Sequence, residues 1–205
     1  MIRLETDGGL WMAIIDRPDK ANSVTAEMLA ELRDIARRAA AEGAAVLVLT
    51  GIGKVFSAGA DLEAARAGLA VSPLWEELSG AIAAFPGLTI AALNGTLAGG
   101  SMGMALACDI RLGVPGMKVF YPVMKLGYLP QPSDPGRLAA LVGPARAKMI
   151  LMGGQKVDAD EALAWGLLDR LVAPEALVET AKALAADVLA ARPGHAAAIK
   201  RMIPG

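Results

Sequence analysis

Cysteine, histidine and aromatic residues are scarce in this sequence. Its 205 residues include one cysteine, one histidine and 4% aromatic residues. The single cysteine, Cys108, cannot form an intramolecular disulfide, so we expect a reducing compartment and a cytoplasmic location. Cys108 lies in an apolar run and is predicted to be a small buried residue. The only histidine, His195, follows the last long predicted helix, where we expect a surface position and no catalytic role.

The sequence also has no excess of basic residues, and its first residues, MIRLETDGG, have no apolar signal-peptide core. The net charge of −1 at pH 7 lacks the basic excess that nucleic-acid binding needs. The segment from Leu78 to Cys108 has no charged residue and is long enough to cross a membrane. However, Pro86-Gly87, Asn94-Gly95 and Gly99-Gly100 cut it into shorter pieces, and such breaks are not tolerated against lipid. We therefore expect a buried core, with no nucleic-acid partner, no membrane partner and no metal site.

The stretch from Thr89 to Ile110 carries the pattern of a binding site. An apolar strand ends at Asn94-Gly95, and Gly99-Gly100 then leads into a helix that begins near Met102. The first N–H groups of a helix have no partner inside it and carry partial positive charge. Glycines leave these groups accessible. An oxygen that is or becomes negative is therefore expected near Gly100.

Three ligands would place an oxygen there. A dinucleotide phosphate fits the near match Ala98-x-Gly100-x-x-Gly103 but requires an acidic residue about 20 residues later, and none occurs between Ile110 and Ser133. A nucleotide P-loop at Gly51-Ile52-Gly53-Lys54 would have Val48 and Val55 in place of its first glycine and its hydroxyl residue. A thioester carbonyl is the third ligand and needs a second donor from elsewhere. Taken alone, this stretch does not decide between a site and close packing of helix on strand.

The order of the predicted elements indicates an α/β fold. Asp7-Gly8-Gly9 predicts a β-hairpin, and Thr25 is the predicted N-cap of a helix with apolar residues at helical spacing. Residues 45–50 predict a strand buried on both faces, and strands and helices alternate afterwards. The proline-rich segment Leu129–Gly136 is expected to be irregular, with a helix starting at Arg137. The chain length fits one domain.

Two segments resemble the signature segments of the crotonase superfamily, the enoyl-CoA hydratase/isomerase group. They are Phe56–Leu62, with the sequence FSAGADL, and Asn94–Ile110. Three further segments fit the family in the same order, namely Asp16–Ser23, Leu126–Leu138 and Ala162–Leu168. The resemblance covers nearly the whole chain, and five ordered segments together make it specific.

The resemblance implies the architecture and the ligand. It implies an α/β spiral of ββα units with a shortened C-terminal helical region. The crotonase-like core would span residues 1–172, and a C-terminal helical segment would span residues 173–205. The implied partner is an acyl-CoA substrate of fatty acid metabolism, with coenzyme A as part of the substrate and no separate cofactor. The implied assembly is a homotrimer or a hexamer of trimers.

The resemblance also assigns site residues. The backbone N–H groups of Ala58 and Gly100 would form an oxyanion hole, which stabilises the enolate oxygen that develops on a thioester. Further substrate contacts are implied at Lys20, Ala21, Gly59, Ala60, Asp61 and Leu62. For Lys20, a solvated surface charge is an equally good interpretation.

Two departures from the family concern its acid and base. Hydratases of the family use two glutamates, whose positions here hold Gly103 and Val123, and neither residue transfers a proton. Hydration by a carboxylate pair is therefore disfavoured, and the reaction is left open among isomerisation, hydration, decarboxylation and hydrolysis. Candidate replacements are Asp134, Ser133, Tyr121 and Tyr128. Asp134 is a weak catalytic candidate, because a turn-forming role before Pro135 is favoured. The alternative to an enzyme is a catalytically silent acyl-CoA-binding member or a scaffold.

Overall fold

Two β-sheets form the framework of the structure, a computed structural model that describes residues 1–203. The strands, numbered along the chain, are β1 (Ile2–Asp7), β2 (Leu10–Ile15), β3 (Val46–Gly51), β4 (Val55–Ser57), β5 (Leu88–Ala92), β6 (Thr96–Ala98), β7 (Ile110–Gly113), β8 (Lys118–Phe120), β9 (Val157–Asp158) and β10 (Arg170–Leu171). The larger sheet has the order β1-β2-β3-β5-β7-β10, and the smaller has the order β4-β6-β8-β9. Both sheets contain strands from distant parts of the chain.

From β3 to β8, consecutive strands alternate between the two sheets. β3 is followed by β4, β5 by β6, and β7 by β8, and the second strand of each pair belongs to the smaller sheet. The pairings β3–β5, β5–β7, β4–β6 and β6–β8 are all parallel. Helices follow each strand pair, as the crossovers between parallel strands require. The chain therefore advances through repeated ββα units, and the predicted α/β spiral is confirmed.

The α-helices lie between and after these strand pairs. They are α1 (Ala26–Ala41), α2 (Leu62–Arg66), α3 (Leu74–Ala83), α4 (Met102–Leu106), α5 (Val123–Leu126), α6 (Asp134–Val142), α7 (Pro144–Leu151), α8 (Ala159–Ala164), α9 (Leu177–Ala190) and α10 (His195–Lys200). The predicted N-cap of α1 is confirmed, since the Thr25 hydroxyl accepts a hydrogen bond from the Met28 N–H at 3.4 Å. Leu32, Ile35 and Ala39 are buried along one face of α1, as the spacing predicts.

The uncharged run from residue 78 to residue 108 is divided as predicted. It holds the end of α3, the strands β5 and β6, and the helix α4, and Leu78, Ile90 and Met102 within it are fully buried. Within residues 1–203, no helix combines the length and the apolarity needed to cross a membrane. The run is core, and its last part places Gly100 between β6 and α4.

Helix α6 begins earlier than predicted. The sequence pattern starts this helix at Arg137, but the structure starts it at Asp134, with Pro135 in the first turn. Proline is tolerated there, because the N–H that it lacks would have no partner inside the helix. The prolines before Asp134 favoured an irregular segment, and that expectation is wrong for its last three residues. Asp134 is therefore a helix residue.

The last helices pack against the larger sheet. α9 contacts β3, β5 and β7, and Leu177, Ala181 and Ala185 are its buried residues. In α10, the Lys200 Nζ donates to the Phe85 carbonyl oxygen at 3.0 Å. The division between residues 172 and 173 stays a prediction, and Pro204 and Gly205 lie outside the described residues.

Candidate functional site

Two glycine-containing turns meet at the candidate site. Gly59 follows β4 and Gly99 follows β6, and both have positive φ angles, of 91° and 62°. A Cβ atom on Gly59 would lie 3.0 Å from the Ala98 carbonyl oxygen and 3.5 Å from the Gly100 nitrogen. Only glycine combines this backbone angle with so close an approach. The two signature segments of the sequence are therefore in direct contact.

Most backbone groups of the Gly59 turn already have partners. The Gly59 N–H donates to the Ser57 hydroxyl at 3.1 Å. The Gly59 carbonyl accepts from the Val24 N–H at 2.8 Å, and the Asp61 N–H donates to the Val24 carbonyl at 2.9 Å. These two bonds flank Ala60 in a parallel bridge with Val24, so the Ala60 N–H points away from Val24. Across residues 1–203, neither the Ala60 N–H nor the Gly100 N–H has a hydrogen-bond acceptor.

The Ala58 N–H, in contrast, is occupied. It donates to the Ala21 carbonyl oxygen at 3.0 Å, which ties the Arg17–Ser23 loop to the end of β4. A donor already paired with a backbone carbonyl is not available to a ligand oxygen. The geometry therefore speaks against Ala58 as one of the two predicted donors and favours Ala60, two residues further on. The Gly100 N–H has no acceptor among residues 1–203, so it is available to a ligand oxygen.

A cleft of about 1240 Å³ lies beside this turn. Four of the predicted substrate-contact residues line it, namely Lys20, Ala60, Asp61 and Leu62. Ala21 and Gly59 are not among its lining residues and instead form the backbone contacts that support it. Arg17 and Arg66 also line the cleft, and the sequence interpretation did not single them out. The cleft lining near Ala60 therefore contains basic side chains together with the acidic residues Glu27, Asp61 and Glu63.

Asp61 is held by a structural network. Its Oδ2 accepts a hydrogen bond from the Arg17 guanidinium at 2.8 Å, and its Oδ1 accepts from the Glu63 N–H at 3.0 Å, at the start of α2. The hydrogen bond from Arg17, together with those from backbone N–H groups, lowers the pKa of Asp61 below its ordinary value. Asp61 therefore stays ionised and shapes the cleft wall. Its pairing with Arg17 could not be foreseen from residues so far apart in the chain.

Asn22 fixes the Arg17–Ser23 loop from inside. Its side chain is fully buried, donates to the Ile52 and Val55 carbonyl oxygens at 2.9 and 2.7 Å, and accepts from the Arg17 N–H at 2.8 Å. Ala21 and Asn22 both have positive φ, of 50° and 53°. Asparagine tolerates this left-handed conformation better than most residues, which was the one signal in the sequence for its role.

Trp75 covers one side of Gly100. A Cβ atom on Gly100 would lie 2.9 Å from the Trp75 Cε2 atom. Trp75 is buried in α3, and its indole N–H donates to the Leu69 carbonyl oxygen at 2.8 Å. Gly100 therefore needs to be glycine here, because a side chain would collide with the indole. The sequence interpretation did not connect Trp75 with the site.

Asp134 lies against Gly103. A Cβ atom on Gly103 would be 2.9 Å from the Asp134 Oδ1 and 3.4 Å from its Oδ2. Asp134 is 0% exposed, and its Oδ2 accepts a hydrogen bond from the Tyr121 hydroxyl at 3.0 Å. Its Oδ1 is buried and has no partner among the described residues. The favoured interpretation of Asp134 as a turn-forming residue is therefore wrong, because its side chain bonds a buried phenol and caps no turn.

Sequence comparison identifies the family of this chain. A model of the family described as Enoyl-CoA hydratase/isomerase matches residues 5–204. This chain belongs to the enoyl-CoA hydratase/isomerase family. The match spans both signature segments and the residues around Asp134.

Relatives and solved structures agree with this assignment. Over 199 residues the chain is 35% identical to the carnitinyl-CoA dehydratase of Citrobacter koseri, covering 92% of this chain and 74% of that protein. It is 33% identical over 195 residues to the crotonyl-CoA hydratase of Syntrophomonas wolfei, covering 92% and 75%. The structure of Pseudomonas aeruginosa DspI superposes with a TM-score of 0.89 at 34% identity, covering 97% of this chain and 78% of that one. The crotonase fold of this family member is thereby confirmed.

The Asp134 carboxyl has an unusual proton affinity in this enoyl-CoA hydratase/isomerase family member. The pKa of Asp134 is raised to about 6, chiefly by burial and to a smaller extent by the Glu76 carboxylate, although the Tyr121 hydroxyl and the Arg137 guanidinium act to lower it. The pKa of Tyr121 is also raised, first by burial and then by the Asp134 charge. A carboxyl with a pKa near neutrality can accept and return a proton under ordinary conditions.

Other predicted candidates lie around or away from this cluster. The Ser133 N–H donates to the Glu76 carboxylate at 3.2 Å, and its hydroxyl bonds the same carboxylate. Tyr128 is 40% exposed, and His195 is exposed at the start of α10, as predicted. Cys108 is buried as predicted, and burial raises the pKa of its thiol to about 12. Cys108 is therefore an unreactive core residue.

Proposed function

We propose that this family member is an acyl-CoA enzyme that stabilises an enolate oxygen with the backbone N–H groups of Ala60 and Gly100. One observation carries the proposal: these two N–H groups lie on turns in contact, and neither has an acceptor among residues 1–203. Both residues are partly exposed, so their N–H groups are accessible to a ligand oxygen. Two such donors in fixed positions suit an oxygen that becomes negative during a reaction.

The surroundings of Ala60 suit the coenzyme A half of the substrate. Ala60 lines the cleft together with Lys20 and Arg66, and these cationic side chains favour phosphate groups. Lys20 thereby gains a role that a solvated surface charge would not have. Arg17 is already paired with Asp61, and Glu27 and Glu63 also line the cleft. The names of the two relatives above describe CoA thioester substrates, which supports the same ligand class here.

A catalytically silent acyl-CoA-binding protein is the second candidate. It is favoured by Gly103 and Val123, which stand where the resemblance places the two glutamates of hydratases. Such a protein would bind the same ligands without turnover. Assays with enoyl-CoA, dienoyl-CoA, malonyl-type and aromatic acyl-CoA substrates separate the two candidates, since binding without any turnover would favour the silent one.

The donor pair is tested with two ligands that differ only at the carbonyl. Butyryl-CoA has the thioester oxygen, and the thioether butyl-CoA lacks it. We expect butyryl-CoA to bind about tenfold more tightly, because each hydrogen bond to the oxygen contributes about 0.5–1.5 kcal/mol. Isothermal titration calorimetry measures both affinities.

Carbon-13 NMR supplies the control. The carbonyl carbon of labelled butyryl-CoA should shift downfield on binding, because two donors polarise the carbonyl bond. Equal affinity for thioester and thioether, with no carbonyl shift, would refute the donor pair. Absence of binding for both ligands and for free coenzyme A would refute the acyl-CoA proposal itself.

A further inference from the structure

We propose that Asp134 is the catalytic proton-transfer residue of this site, and that it acts as a single carboxylate which moves a proton at the carbon next to the thioester carbonyl without adding water. The inference rests on the proposed function. It names the reacting group and the class of reaction, which the donor pair leaves open.

The position of Asp134 is the first argument. Gly103 lies in the first turn of α4, three residues after the Gly100 donor, which is about one helical turn along the chain. The Asp134 Oδ1 lies 2.9 Å from the point where a Gly103 side chain would begin. A carboxylate from α6 thus occupies the place that a carboxylate from α4 would take. We place the carbon next to the carbonyl between the Gly100 N–H and this carboxylate, beyond the residues that line the cleft at Ala60.

The unpaired oxygen is the second argument. Asp134 is fully buried, and its Oδ1 has no hydrogen-bond partner among residues 1–203. Leaving a buried polar atom unpaired costs about 1–3 kcal/mol, and such atoms call for an explanation such as a catalytic role. The Tyr121 hydroxyl holds Oδ2 at 3.0 Å and thereby orients the free Oδ1. The carboxylate is therefore held at Oδ2, while Oδ1 is buried without a hydrogen-bond partner among the described residues.

The groups around Asp134 support a single acting carboxylate. Glu76 of α3 is the other carboxylate that influences it, and Glu76 already accepts hydrogen bonds from the Ser133 N–H and hydroxyl. Tyr121 before α5 and Arg137 of α6 are the remaining titratable groups that influence it. Helix α4 contributes no titratable side chain. Addition of water by an acid and a base acting together would need a second free carboxylate, and this cluster has none.

The proposed step balances as follows. The Asp134 carboxylate takes a proton from the carbon next to the carbonyl, and the electrons of that C–H bond form a carbon–carbon double bond. The thioester oxygen becomes negative and accepts hydrogen bonds from Ala60 and Gly100. The protonated Asp134 then returns its proton to the same carbon, or to the γ-carbon of an unsaturated acyl group. The first outcome is hydrogen exchange and the second is a double-bond shift.

Hydrogen exchange and a double-bond shift test this step. Mass spectrometry follows deuterium uptake by butyryl-CoA in D2O, and ultraviolet absorbance follows conversion of 3-butenoyl-CoA to crotonyl-CoA. We expect the unaltered chain to catalyse both and Asp134→Asn to lose at least about 100-fold, the usual contribution of a proton-transfer group. Calorimetry should show unchanged butyryl-CoA binding. Hydration of crotonyl-CoA as fast as exchange would overturn the single-carboxylate reaction.

Asp158→Asn is the matched control. Asp158 also lies at the start of a helix, where its side chain accepts from the Glu161 N–H at 2.9 Å, but it is exposed. This variant should keep full exchange. An Asp134→Asn protein that folds, binds butyryl-CoA and exchanges like the unaltered chain would overturn the inference. If the unaltered chain binds without exchange, the inference fails and the binding site stands. If it does not bind, the proposed function fails.

Tyr121→Phe gives an independent readout that keeps the carboxylate. The exchange rate should rise with pH as Asp134 ionises, around its pKa of about 6. The Tyr121 hydrogen bond lowers that pKa, so its removal should move the midpoint of the profile upward. A midpoint that does not move, in a variant that folds and exchanges, would contradict a role for Asp134.

Discussion

At the residue scale, the buried Asp134 carboxyl should lower stability at neutral pH. Its pKa rises from 3.8 to about 6 on folding, so the folded state favours the protonated form. The stability that this proton provides is complete below pH 3.8 and is lost as pH rises through about 6. A shift of this size corresponds to about 3 kcal/mol. Asp134→Asn should therefore be more stable than the unaltered chain at pH 7.5, by about 2–3 kcal/mol.

Urea unfolding at two pH values checks this prediction. The difference in unfolding free energy between Asp134→Asn and the unaltered chain should be small at pH 4 and large at pH 7.5. All other carboxyl groups are common to both proteins and cancel in the difference. An equal difference at both pH values would mean that Asp134 is not the titrating group. A more stable and inactive variant is what a functional buried charge predicts and a structural one does not.

Single residues of the site were predictable only in part. The small residues of the Phe56–Leu62 segment indicated a backbone donor, but the choice between Ala58 and Ala60 depends on the Ala21 carbonyl, which a distant loop supplies. Asp134 before Pro135 had the local pattern of a turn. Its burial comes from packing of α6 against α4, which local sequence does not encode. Contacts between distant segments decided both cases.

At the element scale, the Arg17–Ser23 loop depends on Asn22. Asn22→Ala removes hydrogen bonds to two partly buried carbonyl oxygens and the hydrogen bond accepted from the Arg17 N–H, and it places alanine at a φ of 53°. We expect a loss of about 3 kcal/mol in the free energy of unfolding. Acyl-CoA affinity should also fall, because the loop carries Lys20 and the Ala21 carbonyl. Urea unfolding and calorimetry measure the two effects.

Asn22→Gly separates the two causes. Glycine loses the same side-chain bonds but accepts the left-handed backbone without strain, so it should be more stable than the alanine variant by about 1 kcal/mol. If both variants have the unfolding free energy of the unaltered chain, the Asn22 hydrogen bonds do not hold the loop. If both variants bind acyl-CoA as tightly as the unaltered chain, the loop does not influence the cleft.

Elements with a strong local pattern were predicted well. Helix α1 has its cap and its apolar spacing in the sequence, and β3 is a continuous apolar run. The short strands β6 and β9, which have only 3 and 2 residues, were not predicted. Such strands form because neighbouring strands pair with them, so their sequences carry little signal of their own.

At the scale of the whole molecule, Lys200 connects the last described helix to the centre of the larger sheet. Its Nζ donates to the Phe85 and Gly87 carbonyl oxygens at 3.0 and 3.1 Å and to the Asp109 carboxylate at 2.8 Å. Lys200→Met removes all three bonds, although the Asp109 carboxylate keeps its hydrogen bonds from the Thr89 N–H and hydroxyl. We expect a loss of about 1–2 kcal/mol, with faster amide hydrogen exchange in β5, which leads towards Gly100.

Lys182→Met is the comparison for this prediction. Lys182 pairs with Glu179 within α9 at 3.0 Å, and both side chains are exposed. Its removal should change stability by less than about 0.5 kcal/mol. If both lysine variants behave alike, residues 173–203 make no specific connection to the strands. A Lys200 effect confined to α10, with β5 unchanged, would favour the separate C-terminal segment that the sequence suggested.

The overall topology followed from the sequence mainly through resemblance. The alternation of apolar strands with helices indicated an α/β fold by itself. It did not show that consecutive strands belong to two different sheets, because strand pairing joins residues far apart in the chain. The ordered family segments supplied that information.

The contact between Gly103 and Asp134 also limits the order in which substitutions could accumulate. A Cβ atom at residue 103 would lie 2.9 Å from the Asp134 Oδ1, so a side chain at residue 103 requires this carboxyl to shift. A glutamate on α4 is therefore easier to accommodate after residue 134 has changed, and the order of the two substitutions affects the stability of the intermediate protein.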